Sequence, residues 1–349
     1  MFALVSLTAS LLGCRALAQV ADPFTFYDMP TPLAGPCDLC EGPDGAEWVQ
    51  DLLVNKVARV DPTSGVVEEY EIPFTLPANP YASLPNVGGR VVLACAIQPG
   101  SDGNIYAANG LRNQLARINV TTRQIDVFTP PPFDPLGDLQ PFNDMYRGPT
   151  GMFFTQTTAN VVTHFDYVTE KFTNYPVPTP EGSPLGIFVA SDGYAYFAEF
   201  LGQKLGRLNA ATGEITEFSL PPSLLGPAVI RVETENRYIW FTAFLGNGIG
   251  RFDTKTGGIA SFTNPSPASF PAEDTLDSDG NIWFSTATQN VLNILSQNGT
   301  FSQIVQPGTD NVAPVSLPLY IDIGIHYGPG DAIWFTEATS NRVGSYRLS

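Results

Sequence analysis

The sequence is poor in basic residues. Its 349 residues include 17 Lys and Arg against 34 Asp and Glu, which gives a formal net charge of −17 and an isoelectric point near 4.3. Nucleic acid and anionic membranes are poor partners for such a chain, because both are bound through clustered Lys and Arg. Only 15% of the residues are charged and 43% are hydrophobic, so a disordered or coiled-coil protein is also excluded.

Histidine is scarcer still, since His164 and His326 are the only two in the chain. This scarcity argues against a multi-histidine metal centre and leaves little material for a serine triad. We therefore expect neither a metal site nor a bound cofactor. His164 lies away from the axis of the fold predicted below, which indicates a structural role.

Long hydrophobic runs are missing, apart from Met1 to Leu12 with the small residues Ala16-Leu17-Ala18 after it. The run is shorter than the roughly 20 residues of a membrane-spanning helix, and small residues behind such a run are typical of a signal-peptidase site. The sequence predicts a signal peptide over residues 1–18 and one mature domain over residues 19–349. The mature protein is then expected in the secretory lumen or outside the cell, with no membrane attachment.

Few cysteines remain once the signal peptide is removed. Cys37, Cys40 and Cys95 permit one disulfide and one free thiol. Cys37–Cys95 would join two neighbouring repeat units, and Cys40–Cys95 is the competing pair. The sequons at Asn119 and Asn298 are predicted glycosylation sites and fit the secretory route.

Glycine and proline, by contrast, are abundant, with 32 and 31 residues. They stand in clusters between apolar runs of strand length, which indicates an all-β chain with many turns. A phrase of the form apolar, Gly or Ala, Arg or His, apolar, Asp or Asn recurs in seven copies, some of them degenerate. The copies begin at Asn55, Asn113, Asn160, Gln203, Asn247, Asn290 and Asn341. By subtraction they lie 43 to 58 residues apart, about the length of a four-stranded propeller blade.

Strand signals flank these copies. Turns such as Asp192-Gly193 precede an aromatic-rich strand before most of them. A further strand that ends in proline follows the first six copies, whereas the seventh has none, and Pro23 to Pro30 has that strand's pattern without a blade of its own. The sequence thus predicts a seven-bladed β-propeller of four-stranded blades, in which an N-terminal strand completes the last blade.

Two stretches carry a family resemblance. They are GIF-x3-DG-x3-FAEF-x3-K-x-GR, from Gly186 to Arg207, and IWFTE-x3-N-x-V-G, from Ile333 to Gly344. Through them the chain resembles the seven-bladed streptogramin B (virginiamycin B) lyase family over essentially the whole mature sequence. For the lyases, the resemblance implies a magnesium ion, a histidine that acts as general base and acidic residues in the last blades.

Two of these lyase positions carry aliphatic residues here. The resemblance places the histidine directly before Gly324-Ile325 and a glutamate two residues ahead of it, where this chain has Ile323 and Ile321. Neither residue can abstract a proton or bind a hard cation, although a third family position keeps its acid as Glu337. His326 follows the Gly-Ile pair, so it would lie farther along the strand than the family histidine.

The resemblance extends to a secreted fungal branch of the family. That branch includes hetero-Diels-Alderases of secondary metabolism, which join a terpene alkene to a tropolone-derived quinone methide. The chain is similar to it in its signal peptide, cysteine pattern and missing lyase base. This implies a pericyclase that also dehydrates its precursor. A metal-dependent lyase or lactonase and a noncatalytic ligand-binding propeller are the alternatives.

A propeller binds ligands at its axis, on the face where inner strands begin and second strands end. The polar candidates for catalysis are Asn109, Gln156, Glu199, Glu273, Thr286 and Glu337. The candidates for substrate binding are Phe142, Leu185, Phe200, Phe244, Tyr320 and Ile323. Such a mixture favours hydrophobic small molecules with a few oxygens as partners. The protein would hold two reactants in register, polarise a carbonyl, and protonate a leaving hydroxyl through a carboxyl with a raised pKa.

Overall fold

The computed structural model describes residues 22–73, 95–109, 113–131, 144–307 and 323–348. These residues form seven four-stranded antiparallel sheets and one short 3₁₀ turn at Pro222–Leu224. The sheets are the blades of a seven-bladed β-propeller, which confirms the predicted fold class. In the described ranges, no helix is long and apolar enough to cross a membrane. The predicted signal peptide, Phe142 and Tyr320 lie outside the described residues.

The blades follow one another along the chain, each with its inner strand first. Blade 1 is β2 (Pro36–Glu41), β3 (Glu47–Asp51), β4 (Lys56–Val60) and β5 (Val67–Glu71), and blade 2 is β6 (Ile97–Pro99), β7 (Asn104–Asn109), β8 (Gln114–Asn119) and β9 (Ile125–Phe128). Blade 3 is β10 (Met145–Arg147), β11 (Gly151–Gln156), β12 (Val161–Asp166) and β13 (Phe172–Pro176), and blade 4 is β14 (Pro184–Val189), β15 (Ala195–Glu199), β16 (Lys204–Asn209) and β17 (Glu214–Ser219). Blade 5 is β18 (Pro227–Thr234), β19 (Tyr238–Ala243), β20 (Gly248–Asp253) and β21 (Ile259–Thr263), and blade 6 is β22 (Pro271–Leu276), β23 (Ile282–Thr286), β24 (Val291–Leu295) and β25 (Phe301–Val305).

Blade 7 closes the ring with strands from both ends of the chain. It contains β26 (Ile325–Gly328), β27 (Ala332–Glu337) and β28 (Arg342–Arg347), and its outer strand is β1 (Phe24–Asp28). β1 pairs antiparallel with β28, from Phe24 opposite Tyr346 to Asp28 opposite Arg342. The N-terminal strand therefore completes the last blade, as the sequence predicts.

The glycine of the repeated phrase is required by packing. A Cβ atom on Gly206 would lie 2.0 Å from Cζ of Phe197, the aromatic residue on the neighbouring second strand. Gly250 and Gly344 meet a phenylalanine ring in the same way in blades 5 and 7. Each ring thus covers a bare backbone, because interiors pack too densely to hold an additional methyl group there.

The asparagine of the phrase fastens the strands around it. Asn247 and Asn341 directly precede third strands and have φ near +55° and +57°, a left-handed conformation that asparagine tolerates. In blade 7, Nδ2 of Asn341 donates to the carbonyl oxygens of Met29 at 3.3 Å and Thr31 at 3.0 Å. The phrase therefore also holds the N-terminal segment that closes the ring.

Hydrophobic clusters fill the space between adjacent blades. Tyr196 of blade 4, for example, packs in one buried cluster with Phe241 and Phe252 of blade 5. Since the blades seal against each other in this way, their inner strands enclose a channel along the axis, and that channel holds the candidate site.

Candidate functional site

A buried ion cluster stands in the middle of the axial channel. Its centre is Arg231, on the inner strand of blade 5, with a side chain 9% exposed. The guanidinium forms a two-pronged pair with Asp144, in which Nη1 lies 2.7 Å from Oδ2 and Nη2 contacts Oδ1. Nε lies 3.1 Å from Oε1 of Glu273, and Nη2 lies 4.0 Å from Oδ2 of Asp38. One cation thus holds carboxyl groups from blades 1, 3 and 6.

Each carboxyl group is fixed by the inner strand of the next blade. The backbone N–H of Ile97 donates to Asp38 at 3.1 Å, and that of Ile187 donates to Asp144 at 2.9 Å. The N–H of Ile325 donates to Glu273 at 3.3 Å. Inner strands have no inner neighbour in a sheet, so these carboxylates satisfy backbone donors that would otherwise be left in the channel.

Burial and charge set the protonation of the cluster. Burial raises the pKa of Asp38 to about 7, against the opposing effect of Arg231. Burial also raises the pKa of Glu273 well above its ordinary value, and the neighbouring Asp38 adds to the rise. Burial disfavours the charged form of Arg231, but the neighbouring Asp144 and Glu273 outweigh this effect and hold the pKa of Arg231 well above the usual range. Arg231 therefore stays charged, and the acids share at least one proton near neutral pH.

Above the cluster lies an apolar cavity, the upper chamber, on the face where inner strands begin. Its volume is about 320 Å³, within the usual range for small-molecule sites. The wall is formed mainly by Leu185, Phe200, Ala228, Val229, Phe244, Ala272, Ala287, Ile323 and the disulfide at Cys95. Asp144, Arg231 and Glu273 form its charged floor. A hydrophobic ligand fits this wall, and a polar atom on it would meet the floor.

Below the cluster lies a second cavity of about 430 Å³, the lower chamber, on the face where inner strands end. Its lining mixes apolar side chains with polar ones, which include Gln98, Arg147, Asp274, Thr275 and His326. The described linings of the two chambers share only Arg231 and Glu273. The ion cluster therefore separates an apolar space from one that has many more polar groups.

Four of the predicted substrate-binding residues line the upper chamber. Leu185, Phe200, Phe244 and Ile323 all belong to its wall, and the rings of Phe200 and Phe244 lie 6.3 Å apart between centroids. Leu185 and Ile323 stand at the inner-strand starts, and Phe200 and Phe244 directly follow second-strand ends.

The polar candidates are dispersed. Of the six, Glu273 alone lines the upper chamber in the described structure. Asn109 and Gln156 border a crevice of about 10 Å³ between blades 2 and 3, and Thr286 donates to the carbonyl of Gln289 at 3.2 Å. The polar ring predicted at the second-strand ends thus does not form the chamber wall, because those side chains lie one strand away from the axis.

In four blades the second-strand end is matched to the third strand beside it. Glu199 stands opposite Lys204 in the register, and Glu337 stands opposite Arg342 and forms an ion pair with it. In blade 2 the opposed residues are two amides, and in blade 5 they are Ala243 and Gly248. Blade 3 differs, because Gln156 stands opposite Val161. The four matched pairs favour structural pairing between strands.

The two histidines differ in setting. His164 lies on the third strand of blade 3, with its ring tilted against that of Phe153 at 4.5 Å between centroids, and burial lowers the pKa of His164. His326 borders the lower chamber, with Nδ1 3.1 Å from Oε1 of the fully buried Glu47. Burial disfavours its imidazolium, but the Glu47 carboxylate outweighs this effect and raises the pKa of His326.

The structure pairs Cys37 with Cys95 and leaves Cys40 as a buried free thiol. Of the two pairings that the sequence leaves open, the structure thus forms Cys37–Cys95. Asn119 and Asn298 both lie in hairpins between third and fourth strands, where Asn119 Oδ1 accepts two backbone N–H groups. Their glycosylation remains a prediction.

Arg231 and Asp144 were not among the residues predicted for the site. The available signal was a lone arginine in the aliphatic inner strand PAVIRVET. A charged side chain on an inner strand must be neutralised at the axis, since burying an unpaired charge is costly. Carboxyl groups on other inner strands were therefore to be expected as its partners.

The residues do not fit the magnesium site of the lyases. Ile323 is part of the apolar wall, and Ile321 lies outside the described residues. Across the described ranges, no group of three or more His, Cys, Asp or Glu residues could hold a metal ion. The positive charge among the axial acids comes instead from the Arg231 guanidinium.

The fold and the axial chambers define the class as a seven-bladed propeller with a small-molecule-sized site at its axis. The sequence model of the Virginiamycin B lyase family matches residues 94–294 and 147–349. The chain therefore belongs to the Virginiamycin B lyase family. No curated protein matches its sequence.

Solved structures show the same fold. Virginiamycin B lyase from Staphylococcus aureus superposes with a TM-score of 0.78 at 22% identity, covering 93% of this chain and 99% of that one. A streptogramin B lyase structure gives 0.77 at 22% identity, with coverages of 93% and 97%. A catalytically inactive variant of the Staphylococcus aureus enzyme, solved with quinupristin, gives 0.76 at 22% identity, with coverages of 93% and 99%. At this identity the likeness is one of fold.

Proposed function

We propose that the protein is a secreted hetero-Diels-Alderase, which joins a tropolone-type quinone methide to a terpene alkene in the upper chamber. The observation that carries the proposal is the chamber itself, whose apolar wall ends on the floor of Arg231, Asp144 and Glu273. An apolar wall suits a terpene, and a charged floor suits the oxygens of a tropolone. The partners are accordingly hydrophobic small molecules.

The chamber supplies what a cycloaddition requires. Two bound reactants lose the entropy of encounter before they react, and no nucleophile is needed. A donor at the floor polarises the heterodiene carbonyl, and the new C–C and C–O bonds then form with no leaving group. Arg231 and the protonated acid of the cluster are the donors at that position.

Glu273 is the residue that we assign to dehydration of the precursor. Its protonated carboxyl gives a proton to the hydroxyl of a tropolone carbinol, and the C–O bond breaks as its electron pair leaves with water. The ring hydroxyl gives its proton to a carboxylate of the same cluster, which leaves the quinone methide. The raised pKa of Glu273, caused first by burial, keeps the acid protonated near neutral pH.

Secretion is part of the proposal. The Cys37–Cys95 disulfide is compatible with an oxidising compartment. The predicted signal peptide and the sequons at Asn119 and Asn298 point in the same direction.

The test is to incubate the purified, oxidised protein with a tropolone carbinol and humulene, with and without EDTA. Adduct yield and stereochemistry are followed by chiral chromatography against a boiled control. We expect stereoselective adduct that EDTA does not diminish. Loss of adduct with EDTA would favour the metal-dependent lyase type, and no acceleration over the boiled control would favour a noncatalytic ligand-binding propeller.

Matched variants locate the chemistry. Ala287→Phe fills the upper chamber and should abolish adduct formation, whereas Val305→Ser on the exposed outer edge of blade 6 should not. Glu273→Gln should block turnover of the carbinol while a preformed quinone methide still reacts. Equal loss with both precursors would remove Glu273 from the dehydration step.

A further inference from the structure

In the described structure, the two chambers meet at the ion cluster. Glu273 and Arg231 are the two residues common to both linings in the described structure, so each reaches the apolar space from one side and the polar space from the other. The Glu273 side chain is 4% exposed and the Arg231 side chain 9% exposed. The Glu273 carboxyl could therefore exchange protons with solvent through either chamber. The lining of each chamber decides which of the two routes is used.

The cluster has more acids than cations. Asp38, Asp144 and Glu273 lie around one guanidinium, so full ionisation would leave two uncompensated negative charges in a buried site. Buried sites avoid such a charge by holding protons. The cluster therefore holds protons. If Glu273 gives up its proton in each turnover, a route from solvent must supply another.

Among the described residues, the lower chamber offers more groups for such a route than the upper chamber does. Asp274, Thr275, Gln98 and His326 line the lower chamber with groups that can hydrogen-bond water or carry a proton. In the described lining of the upper chamber, the charged groups are those of the floor itself, and most of the rest is aliphatic or aromatic. The lower chamber therefore has the hydrogen-bonding groups that proton exchange requires.

We propose that Glu273 exchanges protons and water with solvent through the lower chamber, so that a ligand can close the upper chamber without isolating its acid. The exchange route stands on the geometry alone. Its use in turnover rests on the proposed function, because dehydration in the upper chamber releases water behind a hydrophobic second reactant. That water then leaves past Arg231 into the lower chamber.

Charged groups from several blades face this route. Asp38 on β2, Asp144 before β10 and Arg231 on β18 surround Glu273, and Asp274 follows it on β22. His326 on β26, paired with Glu47 on β3, stands at the outer part of the lower chamber. The His326 side chain is 30% exposed and that of Glu273 is 4% exposed, so solvent protons meet His326 first.

The experiment follows the carbonyl stretch of a buried protonated carboxyl group by infrared spectroscopy at pH 7. The band is assigned by its loss in Glu273→Gln, and the rate of its shift is measured after rapid transfer into D₂O. Gln98→Phe and Leu276→Trp add bulk to the lower chamber from blades 2 and 6, and Ala287→Phe adds similar bulk to the upper chamber. Circular dichroism and thermal melts establish that each variant is folded.

We expect both lower-chamber variants to slow the exchange about tenfold or more, because exchange then requires local opening. Ala287→Phe should leave the exchange rate within about twofold of wild type. The route would be overturned if Ala287→Phe slowed the exchange, or if neither lower-chamber variant did. The choice of acid would be overturned if Glu273→Gln removed no band of a protonated carboxyl group. Failure of the proposed function would look different, since no adduct would form while the exchange pattern stayed intact.

Discussion

At the scale of single residues, the site depends on one cation. Arg231 is the only basic side chain within reach of Asp38, Asp144 and Glu273 among the described ion pairs. A guanidinium suits this position because its planar donors can serve several carboxylates at once and it does not lose its proton. Removing it would leave the acids buried without compensation.

Arg231→Met should therefore destabilise the protein by about 3–5 kcal/mol at pH 8, the usual cost of breaking a buried ion pair. The loss should be smaller at pH 5, because the acids can then take up protons instead of remaining charged. Urea denaturation at both pH values measures the two free energies of unfolding, with Arg251→Met as a control on the third strand of blade 5. Equal losses at both pH values would contradict the role of Arg231 as the counter-charge.

Glu199 gives a second prediction at this scale. Burial raises its pKa to about 7, and the neighbouring Glu217 adds to the rise. A carboxyl whose folded pKa is raised stabilises the fold most below its ordinary pKa, and this contribution is lost as the pH rises through the folded value. The free energy of unfolding should thus fall between about pH 4.5 and pH 7.

Glu199→Gln should reduce this fall and leave adduct formation unchanged, because Glu199 is not part of the described chamber lining. Thermal melts across that pH range provide the first measurement and the chromatographic assay the second. A variant with normal stability but no turnover would instead make Glu199 a catalytic residue.

At the scale of strands, most of the architecture could be predicted because it is repeated. In the repeated sequence phrase, the Gly packs against a phenylalanine ring and the Asn hydrogen-bonds the neighbouring segment. Both residues therefore recur at fixed positions in the sequence. The Leu185 and Ile323 positions followed from the same register. The ion cluster could not be predicted in this way, because Arg231 occurs in one blade and its partners come from three others.

The Cys37–Cys95 bridge joins the inner strand of blade 1 to the segment before blade 2, across a separation of 58 residues. A closed loop of that length restricts the unfolded chain, so Cys95→Ser should cost about 4 kcal/mol in the loop-entropy description. The Cys40→Ala change at the buried free thiol should cost about 1 kcal/mol. Urea unfolding of both variants gives the comparison, and similar losses would show that the bridge adds little.

At the scale of the whole molecule, the two ends of the chain meet in blade 7. β1 supplies the outer strand, and the Asn341 side chain bonds the segment that follows it. Every sheet in the ring is thereby held by its neighbours, and the axial channel is enclosed on all sides. The geometry of the site thus depends on a strand that lies on the outer edge of the molecule.

Loosening β1 should therefore weaken the whole ring. Tyr27 stacks on Trp334 with centroids 5.2 Å apart, and the Arg342 guanidinium lies 3.8 Å from the centroid of Phe26. Phe26→Ala and Tyr27→Ala should each lower the free energy of unfolding by about 1–3 kcal/mol. Val305→Ala, on the exposed outer strand of blade 6, should change it by less than about 0.5 kcal/mol.

The unfolding transition shows whether this loss is global. Tryptophan fluorescence reports on blades 1, 5, 6 and 7 through Trp48, Trp240, Trp283 and Trp334, and far-ultraviolet circular dichroism reports on all seven sheets. If β1 holds the ring closed, both signals should shift together to the same lower midpoint in each β1 variant. The alternative outcome is a fluorescence change at lower denaturant with an unshifted dichroism transition. That result would mean that β1 detaches locally while the other blades stay folded, and that the chambers do not depend on ring closure.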